Sequence, residues 1–161
     1  MINFEDIYNG NYKKLFRVAL KMVGNEDSAG DIVHDVFVNF YTRQNDGHLI
    51  LYPSSWLYKV VTNKCIDFLK HASKFQTFRS DDNEKADEPA DENEQRIAMV
   101  SSALSMLRPH ERSLMVLYSE GMSYKEIAET TGIRFSSVGK TLTRTLEKLE
   151  NELKKQKYEL Y

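Results

Sequence analysis

Three groups of residues in this 161-residue chain have types and spacings that could do chemistry. Asp31, His34 and Asp35 share one face of any helix over that stretch and could ligate a metal ion. No further His, Cys or carboxylate cluster accompanies them, so a solvated or protein-binding face is the simpler reading and no metal is assigned. Cys65, the sole cysteine, has Val61, Phe68 and Leu69 at helical spacing around it. It reads as a small buried apolar residue and not as a reactive thiol. The third group is Arg134, Phe135, Ser136, Ser137, Lys140, Thr141 and Arg144, whose cationic and hydroxyl groups suit the phosphates and base edges of duplex DNA. One bidentate arginine contact to guanine discriminates by about 1–3 kcal/mol. An enzyme should show a nucleophile with its base, a metal-ligand set or a phosphate-cradling glycine loop, and none of these is present. The sequence therefore points away from catalysis, and implies no cofactor and no small-molecule substrate.

The basic group needs a frame that presents it. Ser123-Tyr124-Lys125-Glu126 has the form of a capping box, which launches a short helix with Ile127 and Ala128 on its apolar face. That helix must end near Thr131-Gly132, where glycine can take the left-handed conformation of a tight turn. Ile133 then re-enters the core, and Ser136 or Ser137 can cap a second helix with the apolar line Val138, Leu142, Leu146, Leu149 and Leu153. Ile127, Ala128, Gly132 and Val138 form the core of a helix-turn-helix, in which the start of the second helix enters the major groove. The alternative is a merely structural hairpin. Lys148, Lys154, Lys155 and Lys157 alternate with Glu147, Glu150 and Glu152, so they read as a solvated face.

Upstream, Tyr12, Leu15, Phe16, Ala19, Leu20 and Val23 recur at helical spacing, as do Ile32, Val33, Val36, Phe37 and Phe40. Gly24-Asn25 separates these two helices, and Gln44 to His48 marks a loop. A third helix is expected after Pro53, with Ser54 or Ser55 as its N-cap, running to about Lys74. One of its sides carries Leu57, Tyr58, Val61, Cys65, Phe68 and Leu69, the other Trp56, Lys59, Asn63, Lys64, Lys70 and His71. From Tyr52 to Arg79 five Lys or Arg residues face one Asp67. Cations interleaved with aromatics suit single-stranded DNA, although Trp56 could equally belong in part to the core. Ile97, Val100, Leu104 and Leu107 form another apolar line before Pro109, and Leu114, Val116 and Leu117 a further one before Gly121. No segment alternates as a strand does, so the fold class is all-α, with two small helical domains.

The boundary between the domains shows in the charge. Residues 81 to 94 hold eight acids and one lysine, a net of −7, which leaves +5 for the rest of a chain whose total is −2. The stretch from Thr77 to Asn93 cannot build a core and reads as an acidic flexible linker. It divides the chain into domains 1–76 and 94–161. No apolar run approaches the roughly 20 residues of a membrane span, and the first residues lack the pattern of a secretory signal. With a lone cysteine, this favours the cytoplasm.

In this order the elements resemble the sigma factors of RNA polymerase, specifically the small extracytoplasmic-function (ECF) group. Ala29 to Phe37 is similar to the region 2 stretch that grips the polymerase, Trp56 to Lys70 to the segment that melts and reads the minus-ten element, and Leu104 to Leu149 to region 4, which reads the minus-thirty-five element. The resemblance implies a transcription initiation factor with RNA polymerase core enzyme and promoter DNA as partners, commonly restrained by an anti-sigma factor. It implies that Asp31, Ile32, Asp35, Val36 and Phe37 bind the polymerase core. Trp56, Lys59, Asn63, Lys64 and Lys70, with the loop from Gln44 to Ser55, would handle the minus-ten strand. The acidic linker would thread the polymerase interior along the path of nascent RNA. His34 and Gly30 depart from the family pattern, as do Gly139 and Thr141, which stand where basic residues are common. A stand-alone regulator with the same helix-turn-helix is the rival; it would bind duplex DNA without polymerase.

Overall fold

Asparagine and glycine set the first corner of the chain. The Asn3 side chain accepts from the Glu5 N–H at 3.1 Å and opens a helix, α1 (Phe4–Val23), which ends where Gly24 takes φ +73° and returns its N–H to the Leu20 carbonyl. Asn25 then caps α2 (Glu26–Asn45) by accepting from the Ser28 N–H at 2.9 Å. Helices α3 (Pro53–Phe75), α4 (Glu92–Ser105), α5 (Pro109–Ser119), α6 (Tyr124–Thr131) and α7 (Phe135–Glu159) complete the order. The structure is a computed structural model that describes residues 3–75 and 91–159, and it is all-α, without a strand among the described residues. The acidic segment expected over 77–93 lies outside the described residues except at its end, where Asp91 caps α4 through the Glu94 N–H.

Helices α1, α2 and α3 form a bundle around Leu15, Val18, Met22, Val33, Val36, Phe40, Leu57, Val61 and Cys65, all essentially inaccessible to solvent. An aromatic cluster closes one end: Tyr8 and Phe37 lie 4.7 Å apart between ring centroids, and Phe4 and Tyr41 5.2 Å. The start of α3 differs from the sequence expectation. Pro53 occupies the first helical position, where a missing N–H costs nothing, and the Trp56 N–H bonds back to the Tyr52 carbonyl. Ser54 is not a cap; its hydroxyl donates to Asn11 Oδ1 at 3.0 Å and ties α3 to α1. The loop before α3 is correspondingly shorter, because α2 continues to Asn45.

In the C-terminal half α5, α6 and α7 pack on one another, with α4 against α7. Leu114, Leu117, Ile127, Val138 and Leu142 fill the space between them. Two expectations are corrected here. Leu146 is 45 % exposed, and the inward position is taken by Thr145. Spacing of four, three and four residues from Val138 keeps 142, 145 and 149 on one stripe, and Leu146 falls a further 100° around. Thr145 tolerates burial because its hydroxyl donates to the Thr141 carbonyl at 2.7 Å. The expected α4 face is also only partly covered, with Ile97 and Val100 exposed. One apolar cluster runs through both halves, from Leu15 and Ile66 to Val116 and Leu142.

Burial rather than hydrophobic pattern should decide the cost of substitution in α5 and α7. Leu114→Ala is expected to lower unfolding free energy by about 2–5 kcal/mol, and Leu146→Ala by well under about 1 kcal/mol, since exposed positions rarely matter more. Urea titration followed by circular dichroism reads both.

Candidate nucleic-acid interface

The helix-turn-helix is built by reciprocal hydrogen bonds. The Glu126 N–H donates to Ser123 Oγ and the Ser123 N–H to Glu126 Oε1, each at 3.1 Å. The backbone bond from Ser123 holds the Glu126 carboxyl below its ordinary range. Gly132, at φ +78°, ends α6 and gives its N–H to Ala128. Helix α7 then begins at Phe135 rather than after Ser136 or Ser137, so neither serine is its cap. The Ser137 N–H already bonds to the Arg134 carbonyl at 2.9 Å.

This start leaves Arg134, Phe135, Ser136, Lys140 and Arg144 exposed on one end of the molecule, while Ser137 is half-buried. Phe135 is 63 % exposed. Thr141 is placed differently: half-buried, it donates its hydroxyl to the Ser137 carbonyl at 2.8 Å. Of the helix-turn-helix core, Ile127 and Val138 are fully buried and Ala128 packs against the core. At Gly139 a Cβ would lie 3.4 Å from the Tyr124 ring, an ordinary contact. The glycine is therefore not demanded by packing.

The N-terminal face is set by α3. Trp56 is half-buried, with its ring 5.7 Å from that of Phe40 and edge-on to it. The Arg43 guanidinium lies 5.8 Å from the indole centroid, a cation–π geometry. The reading of Trp56 as partly in the core holds: one part of the ring is anchored in the bundle, and the rest is accessible. Lys59, Asn63 and Lys70 are exposed and Lys64 is half-buried. Leu49, Leu51 and Tyr52, in the loop before α3, are strongly exposed. Arg43 carries no signal in the sequence, because its approach to Trp56 depends on α2 crossing α3 and no local pattern marks that crossing.

In α2, Asp31, His34 and Asp35 point outward, whereas Ile32, Val36 and Phe37 are buried in the bundle. From 31 to 40 the outer surface thus carries the two acids, His34, Val38 and Asn39. Among the described residues no group of three or more His, Cys, Asp or Glu is arranged to hold a metal. Cys65 is buried, and burial pushes its thiol up to about 12.

A three-helix bundle followed by a helix-turn-helix is thus the order of the chain. The model for Sigma-70 region 2 matches residues 7–75, and that for Sigma-70, region 4 matches residues 97–149. The chain belongs to the sigma-70 family of RNA polymerase sigma factors, initiation factors that are not themselves enzymes. It is 25 % identical to the ECF RNA polymerase sigma factor SigE of Mycolicibacterium smegmatis over 96 % of its own length and 63 % of that relative's. It is also 25 % identical to the RNA polymerase sigma factor YlaC of Bacillus subtilis, covering 98 % of this chain and 95 % of YlaC. A solved structure of the sigma factor RpoE, in complex with the anti-sigma factor NepR from Bartonella quintana, shares the fold with a TM-score of 0.70. Identity is 21 %, and 94 % of this chain and 96 % of that one are covered.

Three outcomes follow from the packing at these positions. At pH 8 only about one Cys65 in ten thousand is thiolate, given the usual tenfold per pH unit, so a chromogenic disulfide reagent should label the folded chain orders of magnitude more slowly than the urea-unfolded one. Folding keeps this thiol protonated, so the urea midpoint should fall as pH rises above about 8.5, where the unfolded thiol ionises. Gly139→Ala should raise unfolding free energy by about 0.5–1 kcal/mol, the helix-interior cost of glycine, in the same titration.

Proposed function

We propose that this chain is an ECF-group initiation factor that binds the RNA polymerase core in the cytoplasm and directs it to specific promoters. The observation that carries this reading is the ordered pair of family matches, each coinciding with an exposed cationic surface. Residues 1–76 act on the polymerase core and the minus-ten element, residues 94–161 read the minus-thirty-five element, and residues 77–93 connect them. No helix among the described residues is long and apolar enough to cross a membrane.

In the C-terminal domain, Arg134, Ser136, Lys140 and Arg144, with Phe135, reach the major groove. Ser137 and Thr141 shape the helix at that surface through the Thr141 hydroxyl bond. In the N-terminal domain, Trp56 offers a base-stacking edge, and Lys59, Asn63, Lys64 and Lys70 follow the strand along α3. Asp31 and Asp35 meet the polymerase, and Ile32, Val36 and Phe37 act beneath them by fixing the helix. An anti-sigma factor is a further partner, as it is for the Bartonella quintana sigma factor of the same fold.

Run-off transcription with purified core polymerase on a promoter library tests the reading. Discrete new start sites should appear only when the chain is added. Duplex binding without core, and no new starts, would instead identify a stand-alone regulator. On a promoter so found, Lys140→Ala should weaken binding of the core-bound chain and reduce the slope of log affinity against log salt by about 1, the signature of one lost phosphate contact.

A further inference from the structure

The two halves are fastened to each other close to where the helix-turn-helix begins. Glu120 lies in the turn between α5 and α6, with its side chain only 6 % exposed. Its Oε2 accepts from Arg17 Nε at 3.2 Å and Arg17 Nη2 at 3.0 Å; its Oε1 accepts from Lys21 Nζ at 2.7 Å. Lys21 Nζ also donates to Ser119 Oγ at 3.2 Å. Burial pushes the Glu120 carboxyl up, but the bonds from Arg17 and Lys21 outweigh it and hold the group below the ordinary range. About two turns earlier along α5, the buried Arg112 donates Nε and Nη2 to the Lys21 carbonyl at 3.3 and 2.9 Å. Half-buried Tyr58 of α3 lies within electrostatic reach of Glu120, Arg17 and Glu126.

This arrangement also determines what faces the strand platform. The cleft lined by Arg43, Trp56 and Lys59 is lined as well by Met122, Glu126 and Glu129 of the other half. Two glutamates therefore share the cleft with the cations and aromatic ring that a nucleic-acid strand would need. Distance adds a second obstacle, resting on the promoter reading above. Elements near minus ten and minus thirty-five are about 25 base pairs apart, about 85 Å of duplex at 3.4 Å per pair. A compact chain of this length has a radius of gyration of about 15 Å and a breadth of about 40 Å. The fifteen residues from 76 to 90 can reach at most about 50 Å, enough to let the halves separate.

We propose that Glu120 is an interdomain latch: with Arg17, Lys21 and Arg112 it holds the free chain closed, and it must be released before both promoter elements can be engaged. Because the open form is the competent one, the closed population lowers apparent affinity for polymerase and promoter in proportion. Releasing the latch therefore activates the chain without altering either DNA-reading surface.

Small-angle scattering of the full chain, alongside far-UV circular dichroism, tests this without any ligand. The wild type should be compact, and Glu120→Arg should enlarge its radius of gyration with helix content unchanged. Arg17→Glu with Lys21→Glu should do the same, and all three substitutions together should restore the compact form. If Glu120→Arg lost its helix content, the isosteric Glu120→Gln would replace it. An extended wild type, or normally folded variants as compact as the wild type, overturns the latch. Run-off assays at limiting concentration separate the two readings: the latch predicts severalfold more transcript from Glu120→Arg than from wild type. Absence of promoter-specific starts in both would count against the initiation factor and leave the scattering to judge the latch.

Discussion

A buried guanidinium must find acceptors, and Arg112 finds its acceptor in the other half of the molecule. It is 7 % exposed, burial pulls its pKa down, and its donors meet the Lys21 carbonyl near the C-terminus of α1. Carbonyls in the last turn of a helix lack intrahelical partners and carry partial negative charge. Two unsatisfied requirements, a cation without water and a carbonyl without a donor, thus cancel at one place. Removing either group would leave the other buried and unpaired, which costs more than the bond itself contributes. The relation between the halves depends on this pairing, because the apolar cluster around it is non-directional and would tolerate other registers.

Within each half, the helices are fixed by ends as much as by faces. Asn3, Asn25, Asp91 and Ser123 each accept from a backbone N–H in the first turn of their helix, and Gly24 and Gly132 close helices in the left-handed region. These signals are local, and the Ser123 capping box and Gly132 turn were legible in the sequence for that reason. Where a competing partner lies far along the chain, local reading failed. Ser54 has the chemistry of a cap, but Asn11 is within reach of its hydroxyl and Pro53 already supplies a favourable first position.

The same distinction explains how much of the site could be read beforehand. The exposed Arg134, Lys140 and Arg144 follow from the turn geometry, since once Gly132 fixes the corner the next helix can present only one edge. Leu146 was misplaced because leucine is the more apolar choice, while Thr145 satisfies its hydroxyl internally and so can take the inward position. The family resemblance groups Ile32, Val36 and Phe37 with Asp31 and Asp35, but the helix sends the apolar three inward and the two acids outward. Arg43 and Glu120 carried no sequence signal at all. Each matters through a side chain brought close by packing: Trp56 thirteen positions away for the first, Arg17 more than a hundred away for the second.

The charge distribution then becomes intelligible. A net charge of −2 looks ill suited to a partner made of phosphates, but three acids of the C-terminal half are tied up in specific internal bonds. Glu111 binds Lys148 at 2.6 Å and accepts from the Arg108 N–H, Glu120 binds Arg17 and Lys21, and Glu126 closes the capping box. All three carboxyls sit below their ordinary range, so they remain ionised yet locally compensated. Arg134, Lys140 and Arg144, by contrast, take part in no ion pair among the described residues. A cation without a partner keeps its full attraction for phosphate, because no internal pair has to be broken first. What governs DNA binding here is therefore which charges remain uncommitted after folding, and the total over the sequence is a poor guide to it.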